Sequence, residues 1–222
     1  MRYPSEHKAR TRERILKEAS RAIRCQGIDR VAVANVMSAA GLTVGGFYAH
    51  FASKDDLVAH AVEHMFHERY EEFLGLLDVG DPRAAIAKFF DGYLSMAHRG
   101  HPETGCPIPS LSSELGHLSE DGRGRLSRGM RGLVDGLTRL LERAGIGDPA
   151  EAANAAFSEA LGALVMARMT TDPKAAEKIL QKARKSVKER LGVADVDTRI
   201  PLRSRSASRA GAKPPERAEA AA

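Results

Sequence analysis

Apolar residues recur along this chain at three- and four-residue spacing, and no stretch alternates strictly between apolar and polar positions. The pattern therefore predicts helices throughout and no sheet. A first helix is expected from near Ser5 to Gln26, with Ile15, Ala19, Ala22 and Ile23 on one side and Gly27 as its stop. A second spans about 33–40 and buries Val33, Val36, Met37 and Ala40. A very short helix over 44–50 follows, and then Ser53-Lys54-Asp55-Asp56, a capping box with Asp in place of Glu. It opens a long helix through Leu57, Ala61, Met65, Phe66 and Phe73 to about Leu77. Asp81-Pro82, Asp148-Pro149 and Asp172-Pro173 each open a further helix with proline in the first turn. Between the first two of these lie a loop over 99–105, a short apolar helix over 108–115 and a longer helix over 119–143.

The stretch from Gly41 to Leu57 carries the most specific chemistry. Gly41 supplies the positive φ that ends the second helix, and Thr43 is a candidate cap for the next. Phe47 and Phe51, four apart, share one face and anchor the short helix. Val44, Gly45, Gly46, Tyr48 and His50 project elsewhere. Two glycines cost such a helix about 1 kcal/mol each relative to alanine, so the bare backbone they provide implies close approach to a partner.

Charge sharpens this picture. The net charge of the 222-residue chain is only +5, yet the first 14 residues hold five basic side chains against two acidic ones, and residues 199–222 hold six against two. A basic arm beside a turn-and-helix unit suits phosphate contacts, although a solvated helix start explains the charge equally well. The tail after Gly192 is rich in Arg, Ser, Ala, Gly and Pro and is expected to be disordered. No apolar run is long enough to span a membrane and no apolar signal region opens the chain. The two cysteines, Cys25 and Cys106, have no metal-ligand spacing. A cytoplasmic protein is expected.

The residues from Ile15 to Leu57 resemble the DNA-binding domain of the TetR family of bacterial transcription regulators. The matching positions include Ala19, Gly27, the face from Val36 to Ala40, Gly41-Leu42-Thr43, Gly45, Phe47-Tyr48, His50-Phe51, Ser53-Lys54 and Leu57. The resemblance implies an all-α protein. A three-helix N-terminal helix-turn-helix domain would span 8–68, with the helix-turn-helix itself at about 32–51. A larger helical ligand-binding and dimerisation domain would span 69–192, followed by the basic tail 193–222. It implies that Thr43, Val44, Gly45 and Gly46 lie against the major groove of an operator and that Tyr48, His50 and Lys54 grip phosphates. It also implies a homodimer formed through the last two long helices, a small-molecule effector, no cofactor and no metal. At the start of the supporting helix the family usually has Ser or Thr, and here Ala32 and Val33 stand there, leaving only backbone amides for a phosphate.

The segment from Gly105 to Leu115 is similar to a Gly-Cys segment in a subgroup of the family that includes electrophile- and oxidant-responsive repressors. Cys106 is thus either a sensor thiol, activated at a helix N-terminus, or a buried structural cysteine. Phe89, Phe90, Tyr93, Met96, Phe157, Met166 and Met169 are candidates to line an apolar ligand cavity, and core packing explains them as well. His60, His64 and His67 share a helix face, where a solvated or pocket-edge role outweighs a metal site. No catalytic constellation stands out. A DNA-binding repressor is the expected function, most plainly one released by a small molecule or a thiol-reactive signal. An all-helical enzyme and a helical interaction protein are the alternatives.

Overall fold

α1 (Tyr3–Gln26) turns Ile15, Ala19 and Ile23 inward at four-residue spacing and stops at Gly27, which takes a φ of +79°. The computed structural model describes residues 3–77 and 80–198, with side chains except those of 3–5 and 70–77, so the Phe73 side chain and the basic stretch 199–222 lie outside what is described. α2 (Val33–Ala39) follows, with Val36 and Met37 buried and Val33 only half-buried. It ends as the glycine predicts. Gly41 sits at φ +69°, its N–H bonding Ser38 O while Leu42 N–H reaches back to Met37 O at 2.9 Å.

The short helix is a 3-10 turn, Val44–Ala49. Thr43 precedes it in extended backbone without a side-chain cap, which corrects the expected capping role. α3 (Lys54–Leu77) is capped by Ser53, whose Oγ accepts Asp56 N–H at 3.1 Å, while the Asp56 carboxylate departs from the expected box by accepting the N–H of Ala52, one residue before the cap, at 2.9 Å.

The second half comprises α4 (Pro82–Tyr93), α5 (Met96–Gly100), a 3-10 turn at Pro102–Thr104, α6 (Pro107–Leu111), another at Leu115–His117, then α7 (Glu120–Arg143), α8 (Pro149–Met169) and α9 (Pro173–Arg190). The expected loop over 99–105 is thus partly helical, and the short helix after it is a single turn. Asp81 and Asp172 cap α4 and α9 through their carboxylates. Asp148 does not cap α8, because a left-handed φ of +45° turns its side chain away from the helix amides.

Two apolar cores result. One joins α1, α2, the 3-10 turn and α3, and recruits Leu111, Leu118 and Leu126 from far along the chain. The other is built on Ile86 and Phe90 of α4, Leu137, Leu140 and Leu141 of α7, an alanine-rich stripe of α8, and Leu180 and Val187 of α9. Small residues on α8 (Ala153, Ala156, Ala160, Ala167) let neighbouring helices approach closely. α3 and α7 touch where the Phe66 ring lies on Gly129, so close that a Cβ there would stand 2.3 Å from a ring carbon.

The chain does not leave the core at Gly192, as the expected tail boundary of 193 would have it. Gly192 takes a φ of +63°, Val193 N–H bonds Lys188 O at 2.8 Å, and Val193 is fully buried with Val196 packed beside it. Two valines give the segment apolar surface to bury.

Candidate nucleic-acid interface and effector region

Phe47 is 2% exposed, and its ring stacks on Phe51 with centroids 5.7 Å apart. This pair fixes the 3-10 turn to the first core and leaves Tyr48 outside, 77% exposed, beside an exposed Val44 and Thr43. Gly45 has open space where a side chain would stand, and Gly46 backs onto Met37. The exposed backbone suits a surface that must approach a flat or grooved partner.

Lys54 and His50 behave differently from the sequence expectation. Lys54 is half-buried, and its Nζ donates to Asp29 O at 3.2 Å, tying α3 to the loop before α2. His50 is half-buried with Nδ1 enclosed and unpartnered. Burial lowers its pKa, and the positive charges of Lys8, Arg12 and His7 lower it further. It is neutral at physiological pH and offers a hydrogen bond without a charge.

The charge beside the turn comes instead from α1. Arg12 donates to His50 O and holds its guanidinium 4.2 Å from the centre of the Phe51 ring. Sequence reasoning counted Arg12 only as part of a basic arm. No local signal marks it, because its partners are nearly forty positions away. Ala32, at the start of α2, has no side-chain cap, as its methyl group dictates.

Cys106 is 5% exposed, and burial raises its thiol pKa. Of the two readings of Cys106, burial favours the structural cysteine over a helix-activated, accessible thiolate: α6 has only five residues, and desolvation outweighs its dipole. The surroundings are nonetheless polar. His98 Nδ1 donates to Tyr93 O at 2.7 Å, so its Nε2 is free to accept Cys106 N–H at 2.9 Å. Burial lowers the His98 pKa to about 4. The buried Tyr93 hydroxyl faces the Cys106 thiol, and Arg168, which donates to His98 O at 3.0 Å, has an unpartnered Nε. Gly105 is required here: a Cβ would lie 2.9 Å from the His98 ring and 3.0 Å from the Arg168 guanidinium.

Of the cavity candidates, Phe89, Phe90, Tyr93 and Phe157 are buried together in ring-to-ring contact, and Met96 is half-buried at their edge. Met166 and Met169 do not join them. They are 58% and 78% exposed, on the outer face of α8. Helical periodicity places them on a face without saying whether that face is covered by the same chain.

The three histidines of α3 also separate. His64 is buried between Glu13 at 2.8 Å and Ser20 at 3.3 Å, His60 is half-buried beside Asp56, and His67 is exposed. Among the described residues no group of His, Cys, Asp or Glu is arranged to hold a metal ion, and no helix is long and apolar enough to cross a membrane.

Comparison with known proteins agrees with this geometry. Residues 15–61 match the model of bacterial regulatory proteins of the tetR family, and residues 82–183 match the tetracyclin repressor-like C-terminal domain. The HTH-type transcriptional repressor NemR of Escherichia coli K12 is 25% identical over 169 residues, 72% of this chain and 85% of that protein. The crystal structure of E. coli NemR in its reduced form superposes with a TM-score of 0.72 at 24% identity, covering 81% of this chain and 97% of the other. A TetR transcriptional regulator from Chloroflexus aurantiacus gives a TM-score of 0.71 at 22% identity, covering 84% and 96%. These relatives are named as transcription regulators. With both of its halves matched by TetR models and its helix-turn-helix built as described, the chain belongs to the TetR family of bacterial transcription regulators.

Proposed function

We propose that this regulator is a cytoplasmic homodimeric repressor that holds an operator with its two 3-10 turns and lets go when an effector reaches the second core. The observation that carries the reading is the exposed Tyr48, Val44 and Gly45 surface, flanked by the α1 cations and pinned from behind by Phe47 and Phe51. Thr43 and Gly46 extend the groove-facing surface. Tyr48 and Arg12 are the phosphate contacts in this proposal, with Lys54 acting through the α2 loop and His50 as a neutral donor. The outer face of α8, with Met166 and Met169 bare, is the dimer face, completed by the half-buried Ile179 and Ala183 of α9.

The test is a salt titration of binding to duplex DNA from upstream of the chain's own gene. Phosphate neutralisation releases counterions, so affinity must fall by a factor on the order of 1,000 between 50 and 200 mM salt for about six contacts. Flat or absent binding favours a protein-docking role.

Cys106 supports a second element of the reading. NemR, the relative above, was crystallised in a form named as reduced, and here the thiol lies by the Tyr93 phenol and two arginines, Arg69 and Arg168. An anion formed at sulfur would find positive charge already in place. In a Cys25→Ser background, N-ethylmaleimide is expected to lower operator affinity at least about fivefold, and Cys106→Ser to abolish the response. Unchanged affinity after complete alkylation of Cys106 assigns it a packing role.

A further inference from the structure

α9 carries seven basic residues against two acidic ones, and four of its cations have an acid to meet. Arg184 and Lys188 share Asp91 at 3.8 and 3.0 Å, Lys185 pairs with Glu189 at 3.7 Å, and Arg190 pairs with Glu159 at 2.6 Å. The other three, Lys174, Lys178 and Lys182, have no ion pair among the described residues. All three are exposed and follow one another at four-residue spacing, so they form one row along the helix. The exposed Lys185 continues it. The row lies opposite the side by which Ala176, Leu180 and Val187 enter the second core. Helical rotation also separates it from Ile179 and Ala183, the α9 residues assigned to the dimer face.

Nothing in the packing of α9 accounts for this row. Like charges four positions apart repel along a helix. Lys174 also puts a cation in a first turn that holds no acidic residue, against the helix dipole. A row that weakens its own helix and meets no acid in the chain fits a partner of opposite charge. Its positions stand about 6 Å apart, over about 16 Å from Lys174 to Lys185. A linear polyanion meets such a row with several charges at once, and lysine binds phosphate as a point charge without a fixed geometry. Duplex DNA, with one charge per about 1.7 Å of its axis, is long and regular enough to engage all of it. A membrane surface fits less well. An interfacial helix inserts its apolar face into the lipid, and that face of α9 is buried in the core. Six more basic residues against two acidic ones follow in 199–222.

α9 packs on α8 and α4, so the row stands on the second core, whereas the 3-10 turn belongs to the first. From this we infer that Lys174, Lys178 and Lys182 form a second DNA contact, made to phosphates without regard to sequence. It takes a duplex other than the one held by the 3-10 turns.

The test is a capture experiment on the full chain. Protein is loaded on an immobilised upstream duplex and offered a labelled duplex of unrelated sequence over a range of salt. The wild type is expected to capture the second duplex. The triple variant Lys174→Gln, Lys178→Gln, Lys182→Gln keeps the helix, since glutamine is close to lysine in propensity. It should hold the upstream duplex with unchanged affinity and capture the second at least about tenfold less, with a logarithmic salt slope shallower by about three. Arginine at the same three positions should restore capture. Equal capture and equal slope in the wild type and the glutamine variant overturn the inference. So does capture that is lost on deleting 199–222 but not on changing the lysines. Tighter binding of polyglutamate than of the duplex at equal charge assigns the row to an acidic protein and overturns the DNA contact. A wild type that does not hold the upstream duplex overturns the operator reading alone. The row is then read from direct binding of the unrelated duplex, where the same difference in slope is expected and equal slopes overturn it.

Discussion

Phe47→Ala is expected to abolish operator binding while the second core stays folded. The 3-10 turn has no stability of its own: two of its six residues are glycine, Thr43 gives it no cap, and its hydrogen bonds close over few residues. Phe47 holds it, buried against Phe51 and edge-on to Tyr48 with ring centroids 5.2 Å apart. Truncating a buried phenylalanine costs about 3–5 kcal/mol, a large share of the 5–15 kcal/mol typical of a whole domain. The loss reaches further than one helix, because the Phe51 ring left without its partner is also the seat of Arg12. Tyr48 and Arg12 therefore lose their positions together. Thermal unfolding followed by circular dichroism should split into an early N-terminal step and a late step near the wild-type midpoint, with DNA binding lost by fluorescence anisotropy. Tyr48→Phe, which leaves the packing alone, should unfold like the wild type. Retention of tight operator binding by Phe47→Ala would remove this account of how the turn is held.

The second large effect is a pH dependence centred on His98. Burial is the main cause of its low pKa, and the backbone bond to Tyr93 O only partly offsets it. The folded value of about 4 lies below the ordinary 6.5, so the unfolded chain takes up the proton more readily. The stability contributed by the neutral ring is fully present above pH 6.5 and is lost as pH falls through 4, about 3 kcal/mol in all. The mechanism is local. A protonated Nε2 becomes a donor aimed at the Cys106 N–H, which is itself a donor, and the turn entering α6 loses its acceptor. Denaturant unfolding of the second core at intervals from pH 4 to 7 should show this slope in the wild type. His98→Gln, which cannot titrate, should flatten it. Parallel pH profiles for the two proteins would sink the assignment.

Much of this architecture was readable from local chemistry. Gly27, Gly41, Asp81-Pro82 and Asp172-Pro173 mark helix ends because capping depends on residues within a few positions, and Phe47 with Phe51 needs only the helical repeat to share a face. The TetR resemblance rests on that same local signal. What escaped detection depends on distant partners. Arg12 meets its acceptor 38 positions away, and Arg24 and Glu114 meet theirs 79 and 86 away, with no sequence pattern linking them. Met166 is a cavity candidate by spacing alone for a related reason: its spacing defines a face of α8, and only the packed fold reveals that the face is bare. Thr43 makes no cap although its extended backbone suits one, and at Cys106 the dipole of a short helix is outweighed by desolvation.

The glycine beneath Phe66 sets the mechanical scale of the molecule. A ring resting directly on the α7 backbone leaves α3 no room to move toward α7 there. A tilt of α3 would take this contact as its fulcrum and work against the Arg125 ties to Glu63 and His60 about one turn nearer its start. Lys54 lies twelve residues before Phe66, about 18 Å along the axis. A tilt of about 10° around the pin carries the start of α3, and the turn before it, through about 3 Å. In the proposed dimer two such displacements in opposite senses would add to about 6 Å, compared with about 34–36 Å between successive major grooves. A bulkier residue at 129 would move the fulcrum, and with it the mismatch between protein and DNA that a given tilt produces.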